Sequence, residues 1–484
     1  MDTEALLARL PRTHYIDGAW TDDETTLAVE NPATGRVLTQ VADASREVAM
    51  AALDAAVAAQ ASWAATEPRV RGELLRAAYE RIVERADEFA TVMTLEMGKP
   101  LAEARGEVTY GAEFFRWFAE EAVRVHGRYA VAPLGGSRLV TMKQPVGPVL
   151  AITPWNFPLA MGTRKIGPAL AAGCTVVLKP ASQTPLTSLL LAEVLHEVGV
   201  PAGVVNVFTT SRSGATTGPL LVDPRLRKLT FTGSTEVGRS LLEQASANIL
   251  RTSMELGGNA PFVVLPSADV GRAVEGAALA KMRNIGEACT SANRFIVHRS
   301  VAEEFTAGLA ARLGAMTVGD GLADGTEVGP LINADALANV TALVEEAVAD
   351  GARVVTGGGR AADAGEGHFM RPTVLADVEP ASRVVREEIF GPVAPVLVYD
   401  DVDEAIALAN DTEFGLIGYV FGENLGEALR VAEALQTGMV GLNSGVVSNP
   451  AAPFGGVKAS GLGREGGFEG IEEYLETKYI GLAL

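Results

Sequence analysis

Apolar and polar positions follow two different periods along this chain, and the change of period outlines the fold. Over the first 40 residues short apolar runs are broken by turn signals, Ile16-Asp17-Gly18 and Asn31-Pro32-Ala33-Thr34-Gly35, which predicts a small β-region. From Ser45 to about Val125 apolar residues recur at helical spacing, as in Leu74, Ala78, Ile82, Val83 and Ala86, so helices are predicted there. Tyr110, Phe114, Trp117 and Phe118 form an aromatic stripe on one such helix, read as core-facing rather than as a ligand box. Between about His126 and Pro148 the pattern turns to strand, with a hairpin turn at Leu134-Gly135-Gly136.

Beyond Pro148, apolar strands alternate with helices. Strands are predicted over 149–153, 174–178, 204–208, 228–231 and 260–265, and helices over about 164–172, 186–198 and 235–247. A second run of the same kind extends from about Asp269 to about Asn443, with candidate strands at 295–297, 353–355, 393–399 and 418–421. Strand–helix alternation with helical crossovers implies parallel, doubly wound sheets. The fold class is therefore α/β, with two halves and a cleft between them, followed after Ser444 by a glycine-rich and then charged tail.

Composition narrows the possible functions. A chain of 484 residues is long enough for about two to four domains. Lys plus Arg is 40 against 60 Asp plus Glu, a net charge of −20. So acidic a surface repels nucleic acid and anionic membranes, and an anionic ligand must be held by a local pocket. Hydrophobic residues at 48% and charged residues at 21% exclude wholesale disorder. No apolar run approaches the roughly 20 residues that span a bilayer, and the acidic start Met1-Asp2-Thr3-Glu4 is unlike a signal peptide. Two cysteines, Cys174 and Cys289, cannot make a disulfide framework, so a reducing, cytoplasmic setting is expected. Five scattered histidines, without an H-E-x-x-H or paired C-x-x-C, argue against a metal site.

Four segments carry candidate chemistry. Cys289 sits in a glycine-containing loop expected to lead into a helix, where it is either an activated nucleophile or an inert core thiol. Cys174, inside an apolar strand, is structural. Glu255 precedes Gly257-Gly258 and an apolar strand; it is either a general base, if burial raises its pKa, or an exposed turn acid. Asn156, in Thr153-Pro154-Trp155-Asn156-Phe157-Pro158, follows an apolar strand, where ligands of parallel sheets bind. Its amide can donate to a developing oxyanion, or the segment is a rigid Pro-bounded turn. Lys179 and Ser182 end one strand, and Phe231-Thr232-Gly233-Ser234-Thr235 links another to a helix whose N-terminus is a natural anion site. Gly461-Leu462-Gly463-Arg464-Glu465-Gly466 matches G-x-G-x-x-G, but only 18 residues follow it, too few for the βαβ unit that gives this motif meaning. No G-x-S-x-G elbow occurs.

The ordered set Pro154-Trp155-Asn156-Phe157-Pro158, Lys179-Pro180-Ala181-Ser182, Phe231-Thr232-Gly233-Ser234, Glu255-Leu256-Gly257-Gly258, Cys289 and Glu387-Glu388-Ile389-Phe390-Gly391-Pro392 resembles the aldehyde dehydrogenase superfamily over nearly the whole chain. Thr163-Arg164-Lys165, Lys281-Met282-Arg283-Asn284, Ser448-Asn449 and the segment from Lys458 to Gly466 most resemble its succinate-semialdehyde dehydrogenases. The resemblance implies that Cys289 attacks the aldehyde, that Asn156 and the Cys289 N–H hold the oxyanion, and that Glu255 activates the water that hydrolyses a thioester. It implies an NADP or NAD site built from Trp155, Lys179, Pro180, Ala181, Ser182, Gly233, Ser234, Leu256, Glu388 and Phe390. Ser182, beside the Lys179 cation, would accept a 2′-phosphate, with NAD left open. Arg164, Arg283 and Ser448 would hold the distal carboxylate of the substrate, although each arginine could equally serve a structural ion pair.

The resemblance also implies three functional parts: a cofactor domain of 1–125 and 147–255, a catalytic domain of 256–443, and an oligomerisation hairpin at 126–146 with the tail 444–484. The hairpin is expected to pair with the tail of a neighbouring chain, in a homodimer or homotetramer. Three positions depart from the family pattern. Glu287 stands where Gln is frequent, and facing Cys289 it would raise the thiol pKa. Ser291 stands where some relatives carry a second, redox-active cysteine. Pro450 follows Ser448-Asn449 in the substrate loop. The competing readings are a glutarate-semialdehyde or broad-specificity dehydrogenase, a CoA-acylating relative, and a catalytically silent protein on the same fold. Glu255 speaks against the second, and Cys289 with Glu255 against the third.

Overall fold

The computed structural model describes residues 2–483. Two sheets dominate it. In the first, five parallel strands lie in the spatial order Arg251–Glu255, Lys228–Thr232, Val149–Ile152, Val176–Lys179 and Val205–Val207. Short antiparallel strands extend both edges: His14–Ile16 and Ala19–Thr21 on one side, Gly461–Leu462 on the other. Chain order reverses between Val149–Ile152 and Lys228–Thr232, which opens a crevice at their carboxyl ends. The second sheet has seven strands, parallel except for the edge strand Arg353–Thr356. Its centre is Ala260–Val264 beside Ala292–His298.

Only four residues, 256–259, separate Glu255 at the end of a first-sheet strand from Ala260 at the start of a second-sheet strand. The carboxyl ends of the first sheet therefore face the amino ends of the second. Each sheet is apolar on both faces and packed by helices, with Val149–Ile152, Val176–Lys179 and Ala260–Val264 buried along their whole length. The four helices Arg46–Ala65, Pro68–Glu84, Ala86–Met97 and Leu101–Glu121 fill the predicted helical region. In the aromatic stripe Phe114 and Phe118 are core, whereas Tyr110 reaches a cavity.

Several expectations are corrected. Residues Thr3–Arg9, inside the predicted β-region, form a helix capped by Asp2. Arg46–Ala65 is long and apolar enough to pass for a membrane span, contrary to the reading of the sequence. Its alanines account for this, and the helix packs Leu53, Ala56 and Trp63 into the first half of the molecule. The loop of Cys289 leads into the strand Ala292–His298, not into a helix, because Phe295-Ile296-Val297 pair on both sides within the second sheet. The tail strand Leu475–Ala483, expected on a neighbour's hairpin, pairs antiparallel with Ser137–Pro145 of its own chain, next to Arg128–Val131. Part of the tail also closes the first sheet through Gly461–Leu462.

Candidate active site

The loops at the facing strand ends enclose an inner cavity of about 240 Å³. From the first sheet come Pro154, Trp155 and Asn156, then Thr232, Gly233 and Ser234, then Glu255, Leu256 and Gly257; from the second come Cys289, Glu388 and Phe390. The double glycine allows this convergence. A Cβ on Gly258 would lie 2.3 Å from the Cys289 carbonyl oxygen, and one on Gly257 2.8 Å from Glu388 Oε2. Any other residue would force the Cys289 loop away from Glu255.

Cys289 is held by its neighbours. Ser291 N–H donates to the Ala288 carbonyl (2.9 Å), and the Tyr419 hydroxyl donates to the Thr290 carbonyl (2.8 Å). The Asn156 amide donates to the Glu287 carbonyl at 3.0 Å, which leaves its second N–H for the cavity. Burial pushes the Cys289 thiol up to about 12, partly opposed by the positive charge of Arg164. Glu255 is 2% exposed, and neither carboxylate oxygen has a hydrogen-bond partner. Burial and the nearby Glu465 raise its pKa well above the usual carboxylate range, against the pull of Arg164 and Lys165. A solvent-shielded carboxyl of that kind is suited to general-base work near neutral pH.

Glu287 turns away from the thiol. Its Oε1 accepts from Ile332 N–H at 3.0 Å, and burial raises its pKa. Ser291 is spent on the Lys281 carbonyl (3.1 Å).

The groups at the cavity rim fit a nicotinamide dinucleotide. Trp155 and Phe390 meet edge to face at 5.5 Å between ring centres and wall a slot for a flat ring. Phe390 holds a left-handed backbone (φ 52°), strain that points its ring into the slot. Glu388 Oε1 accepts from Gly258 N–H at 3.0 Å, which leaves Oε2 for ribose hydroxyls; burial lifts this carboxyl to about 7. The helix Thr235–Ala245 opens at Ser234 with its N–H groups toward the cavity mouth. Lys179, buried and lowered to about 8, donates to Ser213 Oγ at 2.8 Å, while Ser182 contacts Gln183. Pro180 and Ala181 are buried in the turn between them.

A second, outer cavity of about 550 Å³ shares its lining with the loop after Asn156. Arg283 and Ser448 come together there, Nη1 donating to Oγ at 2.8 Å, with the guanidinium 5.1 Å from the Phe157 ring centre and 5.5 Å from that of Tyr110. Pro450 stands just beyond this pair, in a turn closed by Ala452 N–H to the Asn449 carbonyl, and its own carbonyl accepts from Gly467 N–H. Arg164 is not among the lining residues. It is 1% exposed, stacks 4.0 Å from the Phe454 ring and is paired through Nε with Glu465, which also holds Lys165; its Nη2 is buried without a partner. Glu465 was missed because it lies inside the G-x-G-x-x-G look-alike, which carried no signal of an acid buried against two cations.

Residues 20–480 match the aldehyde dehydrogenase family. The chain belongs to that family. The dehydrogenase is 58% identical over 447 residues to succinate-semialdehyde dehydrogenase of Paenarthrobacter nicotinovorans, covering 92% of this chain and 99% of that one. It is 49% identical over 468 residues to glutarate-semialdehyde dehydrogenase of Pseudomonas putida, covering 96% of each. Among solved structures it superposes with a TM-score of 0.97 and 48% identity on an NADP-dependent enzyme of Escherichia coli, over the full length of both chains.

Proposed function

We propose that this aldehyde dehydrogenase oxidises succinate semialdehyde to succinate with NADP or NAD. The observation that carries the substrate is the Arg283–Ser448 pair, a cation and a hydroxyl in the outer cavity, whose Phe157 directly follows Asn156 of the inner one. A guanidinium enclosed beside two aromatic rings holds a carboxylate more strongly than one in water. The relatives named for four- and five-carbon semialdehydes agree with such a ligand.

In this reading Cys289 Sγ gives up its proton to water, and the thiolate bonds to the aldehyde carbon. The oxyanion accepts from the free Asn156 N–H and from the Cys289 backbone N–H. When bound, the nicotinamide supplies the acceptor for the hydrogen and electron pair that leave that carbon. Cys289 is left as a thioester. Glu255 then takes a proton from water, the hydroxide adds to the acyl carbon, and the C–S bond breaks to return the thiolate. Trp155, Gly233, Ser234, Leu256, Glu388 and Phe390 hold the nicotinamide half. Lys179 and Ser182, with the Pro180-Ala181 turn between them, hold the adenosine half, where the cation favours a 2′-phosphate. Arg164 adds its charge through Nη2, and its pair with Glu465 anchors it.

Residues 1–125 and 147–255 serve the cofactor, and 256–443 serve catalysis. The sheet of 126–146 with 475–483 makes a homodimer or homotetramer, a role supported by Tyr129, Leu134, Met142, Tyr479, Ile480 and Leu482, all exposed on it. Two free thiols and bacterial relatives agree with a cytoplasmic enzyme.

The test follows reduced-cofactor absorbance with succinate semialdehyde, glutarate semialdehyde and uncharged butanal, with NADP and NAD in parallel. Turnover of an acid aldehyde well above butanal is expected, with loss of more than about 10³-fold in Cys289→Ala. Equal turnover of all three aldehydes overturns carboxylate recognition. Preference for glutarate semialdehyde selects the five-carbon reading, which the volume of the outer cavity accommodates.

A further inference from the structure

An acid stands in the cavity assigned to an anionic substrate. Glu103 lies on the helix Leu101–Glu121, where helical spacing puts it on the face of Glu107, Tyr110 and Phe114. It lines the outer cavity together with Arg283 and Ser448. Its Oε2 accepts from the Asn284 backbone N–H at 2.7 Å. Asn284 and Ile285 both hold left-handed backbone conformations (φ 52° and 63°) without being glycine. Such a segment persists only where its surroundings over-determine it. Glu103 supplies part of that restraint, directly on the peptide that follows Arg283.

The brace extends to the reacting centre. Asn284 Nδ2 donates to the Asn156 carbonyl (3.1 Å) and to the Glu287 carbonyl (3.0 Å), the oxygen that also receives the Asn156 amide. One carboxylate thus holds the peptide that joins the carboxylate receptor to the oxyanion donor.

We infer that Glu103 is a positioning and specificity-determining residue: it braces the Arg283–Asn284 peptide and, when ionised, offsets the Arg283 charge offered to an acid aldehyde. The inference rests on the proposed role of Arg283. Burial is the largest influence on Glu103 and raises it, Lys99 and Arg283 lower it, Glu107 raises it, and the result is about 7. The other charged groups lining the cavity are Glu275, Arg312 and Glu327, the latter two within ion-pair reach of each other and Arg312 also of Glu275. Below about pH 7 Glu103 is neutral and Arg283 is unopposed. Above it the cavity carries one more negative charge, and acid aldehydes bind less well.

The test measures KM for succinate semialdehyde and for butanal from about pH 6 to about pH 8.5, in wild type and Glu103→Gln. The KM ratio of the two aldehydes cancels the titration of Cys289 and Glu255, which act on both. Gln keeps an oxygen for the Asn284 N–H and removes the charge. In wild type the acid aldehyde should lose ground to butanal by about three- to tenfold as pH rises. In Glu103→Gln the ratio should stay at its low-pH value across the whole range. A Gln variant whose ratio still climbs with pH overturns the inference while leaving the function intact. A wild-type ratio near one at every pH overturns both.

Discussion

The inner cavity around Cys289 encloses about 240 Å³ and the outer one around Arg283 about 550 Å³. The first is walled by short loops that leave or join parallel strands, each a contiguous motif with its own glycine or proline. The second is walled by side chains from the helices Leu101–Glu121, Val270–Met282 and Arg299–Gly314 and from the loop of Ser448. In the proposed function, chemistry common to all aldehydes belongs where strand ends fix the backbone, and selectivity among aldehydes where helix faces can change a side chain without moving the backbone.

The sharpest way to break this division is Glu255→Gln. Turnover of every aldehyde should fall on the order of 10²- to 10³-fold, with a rapid first release of reduced cofactor followed by slow hydrolysis. Because burial raises the pKa of Glu255, its base form grows as pH rises, so wild-type turnover should increase from acid toward alkaline pH and the Gln variant should lose that increase. An unchanged steady-state rate would remove Glu255 from the mechanism. Glu465→Gln comes next. Burial opposes ionisation of Glu465, but Arg164 and Lys165 hold it below the usual range, so it is anionic at neutral pH. Losing that charge leaves two buried cations unpaired and should cost about 3–5 kcal/mol in denaturant unfolding. Unchanged stability would show that Arg164 finds its main partner elsewhere.

Arg283→Met sharpens the comparison from the outer side. The kcat/KM for succinate semialdehyde should fall about 10- to 100-fold, the worth of a hydrogen-bonded charge, while butanal is unaffected. Equal losses for both substrates would place Arg283 in the common machinery. The smallest effect is expected from Glu287→Gln. The carboxyl faces Ile332 N–H, away from the thiol, so the pH profile of activity should shift little and turnover stay within about twofold. A displaced profile would mean that Glu287 acts on Cys289 after all.

Much of the inner cavity can be read along the chain. Thr153 to Pro158, Thr232 to Ser234 and Glu255 to Gly258 each lie at the end of an apolar strand, and parallel sheets place such ends together. The partners that tune these loops cannot be read that way. Glu107 caps the helix Ala160–Ala172 by accepting from Leu159 and Ala160 N–H at 2.9 and 3.1 Å, from about 50 residues upstream, and so that helix begins four residues before the predicted start. The strand predicted at 295–297 begins already at Ala292, with no helix between it and the loop of Cys289, because pairing with two neighbouring strands is invisible from one segment. The terminal strand was assigned to a neighbour, yet the turn before Leu475 brings it onto its own hairpin, where Val146 N–H donates to the Tyr474 carbonyl.

By itself the sequence determined the α/β alternation and the strand-end loops, and it offered Cys289, Glu255 and Asn156 as candidates on them, because these depend on local periodicity and on residues close together in the chain. Only the tertiary structure decided which charges stand free and which are spent. Arg164 and Arg283 look alike in the sequence, but one is buried against Glu465, some 300 residues away, and the other meets Ser448 beside an open cavity. Glu255 and Glu287 are both buried acids, but one faces the thiol's cavity and the other a backbone N–H. Ionisation and orientation depend on burial and on partners brought together by folding, and no local pattern encodes either.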